Sequence, residues 1–344
     1  MKKTLLSALV AVFGFATQAT AQSSMLATLN HEGTVSTFYG ETALREAHTA
    51  AAHGDIITLS SGTFVPVDIT KAITLRGAGM EVNTNSGTEP TVISGDFTIQ
   101  IADTVNQRLV IEGVYNNHNI YYDGTLNNAM FLKSRFMRFT YRTNGAIKYA
   151  SFIHCKIANL FNLNANSSAS CVNCAIEDPG TIDASTSNFE FMNCVIKFND
   201  NNTVHVNSSS YRNCLIISTG GWNNYHPNGI IPSSCSAYNC LGFNIPSTFQ
   251  SIPNTTNTYI SDIKEVFKTY TGESLNKLDS ENFELTDAAK TKYLGTDGTQ
   301  VGIHGGMLPF DSTPSNPQIT KCNVASKSTA DGKLSVDIEV KAAE

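Results

Sequence analysis

The sequence is short of charge. Of its 344 residues only 15% are Asp, Glu, Lys or Arg, against about 25% in an ordinary soluble domain. Helical bundles and coiled coils carry those residues on their faces, so neither is the main architecture. Tryptophan occurs once, at Trp222. No cysteine precedes Cys155, which argues against a lipid-modified cysteine near the N-terminus. Beyond Ala21 there is no long apolar run, so no transmembrane segment is expected in the mature chain. Basic charge is not in excess either. The net charge is −6 and the pI about 5.8, which gives no general drive toward nucleic acid. Asn, Ser, Thr and Gly fill the gap. With 41% hydrophobic residues the chain has enough apolar material for a core. Polar turns around an ample core point to an all-β protein.

The N-terminus has the pattern of a cleavable signal peptide. Lys2 and Lys3 precede an apolar run from Leu5 to Ala16, and Ala19-Thr20-Ala21 fits a small-x-small cleavage site. The run is too short to span a bilayer. A secreted, periplasmic or cell-surface bacterial protein is expected, exported but not a lipoprotein.

A repeat of about twenty residues decides the fold class. Phe191-Met-Asn193-Cys194-Val-Ile196 recurs as Tyr211-Arg-Asn213-Cys214-Leu-Ile216. Earlier copies are Cys171-Val-Asn173-Cys174-Ala-Ile176, Phe152-Ile-His154-Cys155-Lys-Ile157 and the looser Phe131-Leu-Lys133-Ser134-Arg-Phe136. A degraded copy is Ala237-Tyr-Asn239-Cys240-Leu-Gly242. From Ser134 the steps are 21, 19, 20, 20 and 26 residues. Cys194 and Ile196 are two apart, so they share one face of a strand. Phe191, three before Cys194, joins that face only if the backbone kinks at Asn193. Asn and His are among the few non-glycine residues that tolerate a left-handed backbone. The unit is therefore strand, one-residue bend, strand, with Phe, Cys and Ile inward and Met192 and Val195 outward. Such a unit is one turn of a β-solenoid, whose like residues stack in ladders. A β-sandwich also spaces short strands regularly. It does not need the same Asn-Cys pair at one phase four times.

The N-terminal third carries a family resemblance. Ala43-Leu-Arg-Glu-Ala-His-Thr-Ala-Ala-Ala52 has helical spacing. His53-Gly54-Asp55-Ile56-Ile57-Thr58-Leu59, Gly62-Thr63-Phe64 and Ile73-Thr-Leu-Arg-Gly77-Ala-Gly79 follow it. Toward the other end stand Tyr293-Leu-Gly295 and Asp297-Gly-Thr-Gln-Val-Gly302-Ile-His-Gly-Gly306. In this order the chain resembles the right-handed parallel β-helix proteins of the pectin-lyase-like group. The resemblance implies a capping helix, a first strand, a second coil and a closing segment, and is nearly silent on function. The expected organisation is a signal peptide over 1–21, a loose leader and capping helix over 22–53, a parallel β-helix over 54–308, and a linker with a C-terminal β-hairpin over 309–344. Pro309, Pro314 and Pro317 mark the linker. Ala330-Asp331-Gly332 marks the hairpin turn. Residues 262–292 are more charged and partly helical in pattern, especially 262–269 and 286–292, and are expected to decorate or close the last coil. A lone hairpin is marginal in water, so this one covers the solenoid end or is the remnant of a small β-module.

Eight cysteines in an exported chain raise the question of disulfides. Cys155, Cys174, Cys194 and Cys214 share one phase, and parallel side chains on adjacent rungs give poor disulfide geometry. A buried thiol ladder is expected instead, with Cys171 and Cys235 outside it. No metal site is expected, because no matching His or Cys cluster exists.

Three outer features are candidates for chemistry. No acidic residue lies between Asp123 and Glu177, while Lys133, Arg135, Arg138, Arg142, Lys148 and Lys156 all do. Phase puts Arg135 and Lys156 outward on neighbouring rungs. They form either a groove for an acidic polysaccharide or ordinary solvated charges. The second feature is the longer step from Cys214 to Cys240, with Trp222, Asn223, Tyr225 and His226. Aromatic and amide side chains on a loop suit a sugar, or Trp222 covers the core. The third is the polar-aromatic turn Asn116–Asp123. A lyase resembling the family's enzymes needs a Lys or Arg base with Ca²⁺ or further cations. Lys156 or Arg135, with Arg138 or His154 nearby, is the candidate set, although His154 fits the bend position better. A hydrolase needs paired carboxylates; Glu177, Asp178, Asp183 and Asp200 are scattered. The expected function is non-catalytic glycan binding or adhesion, without a cofactor. The alternatives are a lyase acting on uronate-containing polysaccharide and a structural module of the cell envelope.

Overall fold

The computed structural model describes residues 25–84, 87–143, 145–158, 167–177, 188–198, 209–218, 235–243, 256–269, 282–325, 327–329 and 331–341. The N-terminal segment read above as a signal peptide lies outside them. The chain forms a parallel β-solenoid of about seven turns. The first of two long sheets runs Thr34–Tyr39, Leu26–His31, Ile56–Leu59, Thr74–Arg76, Val110–Glu112, Met130–Leu132, Ala150–Ile153, Ser168–Val172, Asn188–Met192, Ser209–Arg212, Ser236–Tyr238. The second contains Gly62–Phe64, Thr91–Ile93, Phe97–Ile99, Val114–Tyr122, Arg135–Tyr141, Lys156–Ile157, Ala175–Ile176, Val195–Phe198, Leu215–Ser218, Leu241–Phe243 and Thr258–Ile260.

The ladders follow the repeat. Phe131, Phe152, Cys171, Phe191 and Tyr211 are in register. Within this column Phe131 stacks on Phe152 at 4.7 Å and Phe191 on Tyr211 at 5.0 Å. Phe136, Ile157, Ile176, Ile196 and Ile216 form the ladder beyond the bend. Between them Cys155, Cys174, Cys194, Cys214 and Cys240 are fully buried, and the seven described cysteines are free thiols. Each thiol has a use there. Cys155, Cys174, Cys194 and Cys214 donate to the carbonyls of Phe131, Phe152, Cys171 and Phe191 at 3.2–3.3 Å. A small donor thus fills space and ties successive coils. Burial pushes the Cys155 and Cys194 thiols well up, which keeps them protonated.

The bend lies at the expected residue. Lys133, His154, Asn173, Asn193, Asn213 and Asn239 have φ between 45° and 57°. Each bend N–H is already bonded to the next coil, as from Asn173 to the Met192 carbonyl and from Asn193 to that of Arg212.

Two regions differ from the sequence expectation. Residues 26–39 are not a loose leader. Leu26–His31 pairs antiparallel with both Thr34–Tyr39 and Ile56–Leu59, extending the first sheet. Glu32 and Gly33 both have positive φ, the backbone of a tight hairpin turn. The helix Ala43–Ala50 packs beside these strands through Ala43, Leu44 and Ala47. The second difference is at the other end. The expected β-helix span runs to 308, with 262–292 decorating or closing its last coil; the described residues 263–269 and 282–308 lie outside the solenoid strands. A 3-10 turn at Ile263–Glu265 and a helix at Asp287–Lys292 confirm the helical pattern there. Ile263, Val266, Phe267, Leu285, Val301 and Ile303 cover the outward residues Ala175, Val195, Leu215 and Leu241. Met192 is exposed, but Val195, expected outward in solvent, is 2% exposed beneath this cover.

The chain then runs back along the bends as a strap, residues 294–316. Asn239 Nδ2 donates to the Leu294 carbonyl at 3.1 Å, and the Thr296 N–H donates to Asn213 Oδ1 at 2.9 Å. Asn173 Nδ2 donates to the carbonyls of Ile303 and Gly305 at 2.7 and 2.8 Å. His154 Nε2 donates to the Leu308 carbonyl at 3.0 Å. Lys133 Nζ reaches Asp311 at 2.8 Å and the Thr313 carbonyl at 2.6 Å. Asn316 Nδ2 donates to the Gly77 carbonyl at 3.0 Å. The prolines here do not mark a free linker, since Pro314 is buried against Gly79 and Gly113.

The strap lies so close that side chains are excluded. A Cβ at Gly306 would fall 2.2 Å from Asn193 Nδ2. Gly306→Ala is expected to lower stability by about 1–3 kcal/mol, the range of an overpacked contact. Gly87→Ala shares a positive φ but has open space around its Cβ position. Thermal unfolding of both variants separates packing from backbone strain; equal losses would refute the close approach.

Candidate ligand face

Two long neighbouring strands build the candidate site. Val114–Tyr122 and Arg135–Tyr141 run in parallel register, with a bulge between Phe136 and Arg138. Both turn a corner there. Asn116 fixes it from inside: it is fully buried, and its Nδ2 donates to the carbonyls of Ile93 and Gly95 at 3.1 and 3.0 Å. Its Oδ1 accepts from the His118 N–H at 3.1 Å. Asn117, His118 and Met137 are pushed outward at the bulge and exposed.

Before the corner, the Arg135 guanidinium sits over the Tyr115 ring at 4.6 Å. Beyond it, the Arg142 guanidinium sits over the Tyr121 ring at 4.7 Å. Asp96 joins from the preceding coil, its Oδ1 accepting from the Asn119 backbone and Nδ2 at 2.9 and 3.0 Å. Arg138 stands opposite Asn119 in register and is exposed. A guanidinium is a planar cationic fork whose charge suits a carboxylate or sulfate, and a ring against its face fixes its orientation.

Lys133 and Lys156 of the basic stretch are held in ion pairs. Arg135 and Lys156 are neighbours in register, but their environments differ. Lys156 Nζ lies 2.5 Å from Glu81, with Phe310 over it at 5.9 Å, and its side chain is 10% exposed. Lys133 is held by Asp311. Glu177 pairs with Lys197 at 3.2 Å. The anions missing from the local sequence thus arrive from a distant loop and from the strap. His154 takes the bend position and faces the strap rather than a ligand. Trp222, Asn223, Tyr225 and His226 lie outside the described residues.

Lys156, the candidate base, is covered and paired. Among the described residues no group of three or more His, Cys, Asp or Glu side chains is placed to hold a metal ion, and no helix is long and apolar enough to cross a membrane. Sequence reasoning missed Glu81, Asp96 and Tyr115. They belong to coils of irregular length, where the twenty-residue phase is lost. No family model, no curated protein and no solved structure matches the chain.

The Lys133–Asp311 contact predicts a pH effect. Burial drives the Asp311 carboxyl upward, but the Lys133 ammonium and the Thr313 N–H outweigh it, so it stays below its ordinary value. A carboxyl depressed in the folded state adds stability above its unfolded pKa of about 4, and that stability is lost as the pH falls. Asp311→Asn is therefore expected to be less stable than the parent at neutral pH, with the gap closing in acid. Denaturant unfolding across that range checks it; a constant gap would remove the ion pair from the strap's anchoring.

Proposed function

We propose that this protein is an exported, non-catalytic β-helix of the pectin-lyase-like kind that binds an acidic polysaccharide. The ligand lies against the outer face of 114–122 and 135–142. The two stacked Arg–Tyr pairs, Arg135 on Tyr115 and Arg142 on Tyr121, carry this reading. A pyranose packs its C–H face on an aromatic ring, while its carboxylate is drawn to the positive charge of Arg135, Arg138 and Arg142 along this face. Asn119 and Asp96 offer a donor and an acceptor for hydroxyls. The N-terminal pattern of Lys2, Lys3 and the apolar run supports export to the periplasm, the cell surface or the medium. The lyase alternative is less well supported, because its candidate base, Lys156, is tied to Glu81 beneath Phe310.

The test is a panel of acidic and neutral polysaccharides, with and without Ca²⁺, read by gel retardation and by the ultraviolet absorbance of an unsaturated uronate. Retardation by acidic polymers without an absorbing product is expected. Arg142→Ala and Arg135→Ala should each weaken it by about 0.5–1 kcal/mol, the worth of an exposed cation–aromatic contact. Lys156→Ala serves as a control that leaves binding unchanged. An absorbing product that disappears in Lys156→Ala would establish the lyase instead.

A further inference from the structure

The C-terminal hairpin, Gln318–Val324 paired with Val336–Lys341, is amphipathic. Its register sets Val336 opposite Val324, Ile338 opposite Cys322 and Val340 opposite Ile319. Successive residues of a strand point to opposite faces, so Val336, Ile338 and Val340 share one face and Asp337, Glu339 and Lys341 the other. Yet all of Val336–Lys341 is exposed, with Val336, Ile338 and Val340 open by 51%, 53% and 55%. A two-stranded hairpin with one uncovered apolar face is marginal in water. That face belongs against another surface.

The solenoid offers such a surface on the outer side of its first sheet. Leu132, Ile153, Val172 and Met192 stand in direct register on four consecutive coils. None of the four is buried. The column beside this stripe reads Met130, Ser151, Ser170 and Glu190, small at the two central coils. Glu112 precedes the stripe and Arg212 follows it in its own column. The strap's Met307 and Leu308, 95% and 70% exposed, reach the same coil as Ile153 through the His154 contact. A contiguous apolar surface of this kind marks an interaction site.

We propose that the hairpin folds back onto this stripe, making the outer face of the first sheet its docking surface. The tether starts at the right place. The Ser315 N–H and Oγ are both bonded to Glu112 at 2.8 Å, one coil before Leu132, and the hairpin begins three residues later. The lengths agree. Three coil steps from Leu132 to Met192 span about 14 Å, and four strand residues from Val336 to Val340 span about 14 Å. The hairpin therefore lies along the solenoid axis, its strands crossing those of the sheet near a right angle, an established way for two sheets to pack. A short tether also gives an effective concentration of the order of mM. The chain's own hairpin outcompetes that of a second copy at any lower protein concentration.

Disulfide trapping in the full chain tests this. Cys322→Ser removes the hairpin's own thiol, and the seven described native thiols are buried. Val172→Cys and Ile338→Cys are then combined and oxidised with glutathione disulfide. The expected product is an internally crosslinked monomer of raised mobility on a non-reducing gel. In the otherwise unaltered chain, Ile338→Asp and Val172→Asp should each speed tryptic cleavage at Lys333 several-fold while the solenoid's melting is unchanged. A covalent dimer would make a second copy the occupant and overturn the proposal. So would no disulfide, with Lys333 cut equally fast in the parent and in Ile338→Asp.

Discussion

One backbone event underlies this molecule: a left-handed residue at the bend of each coil from Lys133 to Asn239. It reverses the strand so that Phe, Cys and Ile on both sides of it reach one core. It also sets what the outside can be. The bend N–H is bonded to the next coil, so an asparagine there has its carboxamide free to reach outward. Stacked bends then form a column of donors and acceptors along those coils. Between Leu294 and Leu308 the strap binds that column through its own backbone, which demands close approach; farther along, the side chains of Asp311, Ser315 and Asn316 anchor it. The close approach is why Gly295, Gly302 and Gly306 sit where a Cβ would strike Asn213, Leu215 and Asn193. In a simple repeat protein each unit contacts only its neighbours. Here one chain segment touches coils from Asn239 down to Gly77, so the loss of a single coil is felt by all.

The inward half of the fold was legible because the core repeats chemically. Phe, Cys and Ile recur at one phase, and the left-handed residue between them is Asn or His. The outward half was less so. By alternation Val195 reads as outward and solvated, and Ala175 and Leu215 share its phase, because alternation offers only two directions, in or out. A trace of the cover is nevertheless present in the sequence. Cys155-Lys-Ile157 has a polar residue at the outward position, whereas Cys174-Ala-Ile176, Cys194-Val-Ile196 and Cys214-Leu-Ile216 do not. An apolar residue held at an outward position over several coils signals a second layer. The N-terminal strands were likewise announced by Glu32-Gly33 between alternating segments.

The candidate ligand face was half legible. The run of cations without acids is visible in the sequence, and so is the polar-aromatic turn at Asn116–Asp123. Their relation is not. In the sequence they are successive; in a solenoid they lie side by side, so Tyr115 meets Arg135 and Asn119 faces Arg138. Parallel stacking turns a separation of about twenty residues into contact, but only where coil length is known. Between Gly77 and Gly113 the coil is swollen by loops, and Glu81 and Asp96 enter from that irregular part.

The scarcity of charge now has a structural meaning. Lys156–Glu81, Lys133–Asp311 and Lys197–Glu177 each join a coil to a neighbouring coil, to a distant loop or to the strap. Pairs this covered add little net stability, because desolvation offsets the attraction. Removing one partner, however, strands the other, so each pair penalises a wrong docking of loop or strap. The outward column of the second sheet makes the same point in sequence order: Tyr115, Arg135 and Lys156 are followed by Ala175, Val195, Leu215 and Leu241. The C-terminal cover spreads over the apolar coils and narrows to the strap where charge begins. Beyond that point the Arg135 and Arg142 stacks are left facing outward, and the chemistry of the surface changes where the cover stops.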